Sequence, residues 1–183
     1  MADLKLTALA SMGTASARED LLHIIDNPGG TPLNKKETLG DFYNANNSVV
    51  VLTNANQNLN EADHAHRTLT FADISSADKT FKLPAPKPGM VFKFQYQHTA
   101  ADGHDIIIST VATDNSVFFK GSLTHFDTDG NTNAVAFSDN NSNSILGIRL
   151  PDRFEVTLTG VSTTVYHLSG FVGSATVPDF ADQ

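Results

Sequence analysis

From residue 49 onward, Gly, Pro, Asn and Asp cut the chain into short apolar runs, and this punctuation favours strands over long helices. Residues 90–98 are the clearest run: Phe92, Phe94 and Tyr96 alternate with Lys93, Gln95 and Gln97. Alternation with period two puts one set on a buried face and the other in water. An exposed row of three aromatic rings would invite aggregation, so the row is expected in a core rather than as a stacking platform for a ligand. Further strands are expected at 49–52, 66–71, 80–83, 105–111, 117–119, 144–150, 153–159 and 164–172. The run at 117–119 is expected to stop at Gly121. Pro84, Pro86 and Pro88 make a connector, because each removes a ladder donor. Residues 124–143 read as a polar loop holding an apolar island at 134–137. The tail from Ser174 has Phe180 as its only large anchor.

The expected fold is therefore mainly β. It is an antiparallel β-sandwich or jelly-roll-like domain over 47–183 with a C-terminal tail, preceded by an extended N-terminal arm with short strands over 1–46. At 183 residues the chain suits one domain with an appendage. It has no cysteine, which removes disulfides, thiolate metal sites and a cysteine nucleophile. A net charge of −8 with scattered cations disfavours nucleic acid and anionic membranes as partners, since phosphate binding relies on clustered Lys and Arg. No window approaches the roughly 20 apolar residues of a membrane span, and no signal peptide is evident.

The first forty-odd residues hold two short apolar runs and an amphipathic end joined by turns, too little chain to close a core of its own. Their order is Lys5-Leu6-Thr7-Ala8-Leu9, small residues at 13–17, Asp20-Leu21-Leu22-His23-Ile24-Ile25-Asp26, a Pro-Gly-Gly-Thr-Pro turn, and Lys35-Lys36-Glu37-Thr38-Leu39-Gly40-Asp41-Phe42. Thr38, three residues before Asp41, is placed to cap one helical turn, and residues 44–48 read as a linker.

This order resembles the start of many tailed-bacteriophage virion proteins, which run K-I-S-x-L, small residues, D-L-L-x-V-x-D, a turn, then K-K-V-T-x-x-D-F. It departs at Glu37, where that family more often carries a β-branched residue. A second likeness lies in Leu83-Pro84-Ala85-Pro86-Lys87-Pro88-Gly89-Met90-Val91-Phe92 and Thr163-Thr164-Val165-Tyr166-His167-Leu168-Ser169-Gly170. These are similar to the opening and closing strands of a β module recurrent in phage fibres and capsid appendages, commonly trimeric. The resemblance implies a non-catalytic structural protein on the capsid exterior, a decoration or cement protein or head fibre, assembled as a homotrimer. It implies as partner the major capsid protein or neighbouring virion subunits. The contact residues expected from the arm are Leu4, Leu6, Leu21, Leu22, Ile24, Ile25, Lys35, Lys36, Leu39 and Phe42. The alternative it leaves open is a tail-fibre or receptor-binding protein recognising a host-surface glycan.

Elsewhere the residues argue for no chemistry. His64 and His66 would share a face on a strand and could share a metal, but beyond Asp63 and Glu61 no companion ligand stands at a suitable spacing, so exposed strand-end histidines are the preferred reading. Asp127 to Asn133 resembles half of a calcium loop, yet Thr132 and Ser138 occupy the places that need Gly and a bidentate Glu. A polar hairpin turn built on Asp129-Gly130 is preferred. No nucleophile elbow and no dinucleotide-binding glycine pattern occurs. No enzyme activity, no metal and no cofactor are expected.

Overall fold

The computed structural model describes residues 21–26, 33–74, 76–97, 103–130 and 132–183. The chain divides into two units, Met1–Asn47 and Ser48–Gln183.

In the first unit, strands β1 (Leu21–Asp26) and β2 (Leu33–Thr38) pair antiparallel, with Leu21 opposite Thr38 and Asp26 opposite Leu33. Helix α1 (Leu39–Asn46) follows without a break. Thr38 ends the strand and starts the helix, because its extended backbone lets the hydroxyl accept from the Asp41 amide at 3.0 Å and donate to the Asp41 carboxylate at 2.5 Å. Asp41 also places a negative charge in the first turn, where the helix dipole favours it. At the far end, the backbone N–H and the Nδ2 of Asn47 both donate to the Tyr43 carbonyl, at 3.0 and 2.9 Å. These two caps carry the helix through Asn44, Ala45 and Asn46, the residues expected to form a linker. Asn is a weak helix former, but satisfied end groups outweigh a few tenths of a kcal/mol of propensity. Over its described residues, then, the N-terminal region holds the expected short strands, paired as a hairpin and followed by a helix.

The second unit is the expected β-sandwich. Its elements are β3 (Val49–Leu52), β4 (Gln57–Asn58), α2 (Glu61–His64), β5 (Thr68–Phe71), β6 (Lys79–Lys82), β7 (Val91–Gln97), β8 (Ile106–Ser109), β9 (Phe118–Asp127), β10 (Ala134–Phe137), β11 (Ile145–Ile148), β12 (Pro151–Gly160), β13 (Val165–Ser174) and β14 (Asp179–Ala181). One sheet has the order β10-β9-β13-β12-β7-β5-β3 and the other β14-β11-β8-β6-β4. Phe92, Phe94 and Tyr96 are buried as expected, and they face Phe81, Ile106 and Ile108 of the smaller sheet within one core. Phe71 ties the two layers together: its ring lies 4.9 Å from that of Phe81, 5.9 Å from Phe94 and 5.5 Å from Phe154.

The pairing departs from the antiparallel expectation. The ladders β3–β5, β5–β7, β4–β6, β6–β8 and β9–β13 are parallel. From β3 to β8 the chain alternates between the two sheets, so it returns to each sheet by crossing the core. Parallel neighbours need a crossover of this kind, and here the crossover is a strand of the opposite layer.

A second correction concerns β9, which continues through Gly121 to Asp127. Gly121 has φ +127°, and a Cβ there would stand 2.1 Å from the Leu168 carbonyl oxygen of β13. Glycine therefore lets two backbones approach inside the ladder and does not end the strand. The far half of β9 then pairs with β10, turning the polar loop and its apolar island into a hairpin with Leu123 opposite Ala136. Phe180 of β14 packs against the core from the tail, with Leu146 as its cross-strand partner.

Candidate functional site

Two surfaces could bind something. The first is the N-terminal hairpin and helix. β1 carries Leu21, Leu22, Ile24 and Ile25 in a single strand, and Lys35 and Lys36 of β2 stand opposite Ile24 and His23. Lys36 is exposed, Leu39 is half-buried in the first turn of α1, and Phe42 is 44% exposed. The rings of Phe42 and Tyr43 meet edge to face at 6.2 Å. Eight of the ten expected contact residues thus belong to one hairpin and its helix, and Leu4 and Leu6 lie outside the described residues.

The second surface is the outer face of the seven-stranded sheet. Residues directly opposite each other across a ladder share a face, so the register sorts this face into rows. One row runs Val51, Thr70, Gln95, Glu155, Phe171, Thr124, Val135 from edge to edge. The next runs Gln97, Arg153, Gly173, Phe126. The centre of the face is polar. Toward β10 it becomes apolar, with Phe126 48%, Val135 49% and Phe137 70% exposed. Phe126 and Phe171 pack edge to face at 6.0 Å. The sequence reading missed this surface because it followed the buried phase of each strand. The detectable signal was Phe126, Phe137 and Phe171 in the opposite, solvent-facing phase.

The polar motifs serve local structure. Asp127 caps its own turn: its carboxylate accepts from the amides of Asp129 at 3.0 Å, Gly130 at 2.9 Å and Thr132 at 3.4 Å. Those backbone donors, Asp129 first, hold its pKa below the usual carboxylate value. The segment is the polar turn of the β9–β10 hairpin. Asp139 organises the next loop in the same way, accepting from Ser142, Asn141 and Asn143, whose amides lower its pKa strongly.

His64 and His66 do not share a strand face. His64 is the last residue of α2, with Nδ1 accepting from the Asn60 amide at 3.2 Å, and His66 follows with a left-handed φ of 60°. Among the described residues no group of three or more His, Asp or Glu side chains is placed to hold a metal ion. His125 is buried, and its Nε2 bonds the Ser174 carbonyl at 2.9 Å, which makes Nε2 the protonated nitrogen. Tyr166 donates to the Pro84 carbonyl at 3.0 Å, and burial pushes its pKa upward. Both groups hold the proline connector or a strand end in place.

Compared with protein-family models, curated proteins and solved structures, the chain has no match.

Proposed function

We propose that this chain is a non-enzymatic structural protein of a tailed-phage virion, a capsid decoration or cement protein or head fibre, that attaches through its N-terminal unit. The observation that carries this reading is that the residues of the virion-like pattern, 21–26 and 35–42, form a hairpin with a capped helix in a unit distinct from the sandwich. So short a segment gains little from its own core. Set against a partner, its apolar residues would contribute about 25 cal/mol for each Å² they bury, before ordering costs are subtracted.

The homotrimer is supported by the edges of the larger sheet. Ser138 N–H donates to the Gly121 carbonyl at 3.1 Å. By the alternation of an antiparallel ladder, Val135 and Phe137 then direct their backbone groups away from β9 toward the open edge. The opposite edge, β3, exposes Val49 and Val51 at 61% and 62%. Neither strand carries the charge or proline that usually protects an edge. Unlike edges that meet head to tail between copies form a ring when a three-fold rotation relates them, and three tethered attachments then raise one another's effective concentration.

The test is attachment to particles. The full chain should decorate heads at high occupancy, Ile24→Asp should lose most of that occupancy while keeping the sandwich folded, and removal of residues 1–43 should abolish it. Wild-type occupancy in the truncated protein would overturn the reading, and sedimentation as a monomer at micromolar concentration would overturn the trimer.

A further inference from the structure

We infer that the outer face of the seven-stranded sheet holds a binding site for a single uncharged pyranose ring, centred on Phe171, Glu155 and Gln95. This site lies wholly on the sandwich and does not depend on the attachment reading.

The site is a cleft of about 210 Å³ whose walls include Gln95, Gln97, Arg153, Glu155 and Phe171. That is room for roughly seven waters at about 30 Å³ each, the bulk of one sugar ring. A pyranose presents a face of C–H groups and a rim of hydroxyls, so its receptor needs an aromatic surface beside planar polar groups that both donate and accept. Phe171 supplies the surface and is half-buried, with the Phe126 ring edge to face against it at 6.0 Å. Its orientation is therefore set before any ligand arrives, which lowers the ordering cost of binding.

The polar groups are also set. Gln95 Nε2 donates to Glu155 Oε1 at 3.0 Å, leaving the second carboxylate oxygen and the amide oxygen of Gln95 to accept from hydroxyls. Gln95, Glu155 and Phe171 are consecutive in one cross-strand row. Arg153 stands in the neighbouring row, and its stem crosses Gly173, where a Cβ would come within 3.1 Å of Arg153 Cγ. Glycine at 173 therefore lets the arginine lie flat. Its Nε is held by Asp152 at 2.8 Å, which leaves the Nη groups to donate.

The charge balance selects the ligand class. The cleft carries one cation, Arg153, which Asp152 already pairs, and one anion, Glu155. A phosphate or carboxylate ligand would meet Glu155 and the Asp152 that already pairs with Arg153, and a cationic ligand would meet Arg153. A neutral polyol meets neither penalty.

Titration of the full chain with glucose, galactose, mannose and N-acetylglucosamine, followed by amide chemical shifts, tests the site. At least one sugar should bind saturably at millimolar concentration, with shifts confined to residues 95–97, 153–155 and 171, and inorganic phosphate should give none of them. Phe171→Ala should weaken binding about tenfold, the scale of one lost aromatic contact. Glu155→Gln, which preserves shape, should weaken it as well, while Phe137→Ser should leave it unchanged. Absence of saturable shifts with all four sugars, equal affinity in Phe171→Ala and Glu155→Gln, or displacement by phosphate would overturn the site. Particle decoration by Phe171→Ala should equal wild type; its loss would make this face a virion contact and overturn the sugar site, leaving the attachment reading standing.

Discussion

Arg149 grips the carboxylate of Asp179 in a two-bond fork, Nε to Oδ1 and Nη2 to Oδ2, each at 2.7 Å. The same guanidinium gives Nη1 to Asp105 Oδ2 at 2.6 Å, and Asp105 Oδ1 accepts the Leu150 amide at 3.0 Å. One arginine thus links the end of β11, the start of β8 and the C-terminal strand β14. Gly147 makes room for it, since a Cβ there would stand 2.4 Å from Asp179 Oδ1 and 3.2 Å from Arg149 Nε. Both carboxylates push the Arg149 pKa further up, with Asp179 the larger cause.

Lysine at 149 keeps the charge but cannot span both carboxylates with a planar fork. With Arg149 and Asp179 both more than a third exposed, screening limits the loss, and Arg149→Lys should cost about 1 kcal/mol. Urea denaturation measures it, and faster amide exchange at Asp179–Ala181 should accompany it. An unchanged midpoint would show that the fork is ornamental.

Two glycines in the larger sheet should tolerate no side chain. A Cβ at Gly121 would meet the Leu168 carbonyl oxygen at 2.1 Å, and one at Gly170 would meet the Glu155 carbonyl oxygen at 2.0 Å; their φ values are +127° and +149°. Backbone cannot yield as a flexible side chain would. Gly121→Ala and Gly170→Ala should each destabilise by about 3 kcal/mol or more, read as a lowered denaturation midpoint or loss of soluble protein. Wild-type stability in either variant would contradict this packing.

Acid should weaken the loop at 139–143. Backbone amides, Ser142 first, depress the Asp139 pKa in the folded state. Because the folded value lies below the unfolded one, about 3.9, the stabilisation is complete above that value and is lost as pH falls through the folded value. Asp139→Asn removes the titration. Its urea midpoint should fall less steeply with acidification than that of the wild type, and parallel curves would assign the acid limb to other carboxylates.

The sandwich should fold without the N-terminal unit. Among the described residues, every buried member of its core lies between Leu52 and Val172, so a chain of residues 48–183 keeps all of these. It should unfold cooperatively with a midpoint close to that of the full chain. A non-cooperative transition would show that the first unit contributes to the core.

Much of the fold was legible because it follows from local chemistry. The alternation of Phe92, Phe94 and Tyr96 with Lys93, Gln95 and Gln97 placed β7 and its buried face, and the Thr38–Asp41 spacing placed the start of α1. Interactions close in sequence, or repeating every second residue, leave a signature that survives without knowledge of the fold. Asp127 through Asn133 likewise read as a turn because its ligands are its own amides. Reading Gly121 as a strand end failed for the opposite reason: its role is set by Leu168, a residue remote in sequence. The Gln95, Glu155 and Phe171 row shares this origin, since three strands contribute one residue each.

By itself, then, the sequence determined that this protein is built of short strands and that the alternating aromatic residues of one of them face a core. Those properties depend on residue type and spacing within single runs. Only the tertiary structure decided which strands are neighbours, that the chain winds between two sheets and so pairs many of them in parallel, and which outward residues meet. Register between distant strands is a collective outcome of packing, and no single run encodes it.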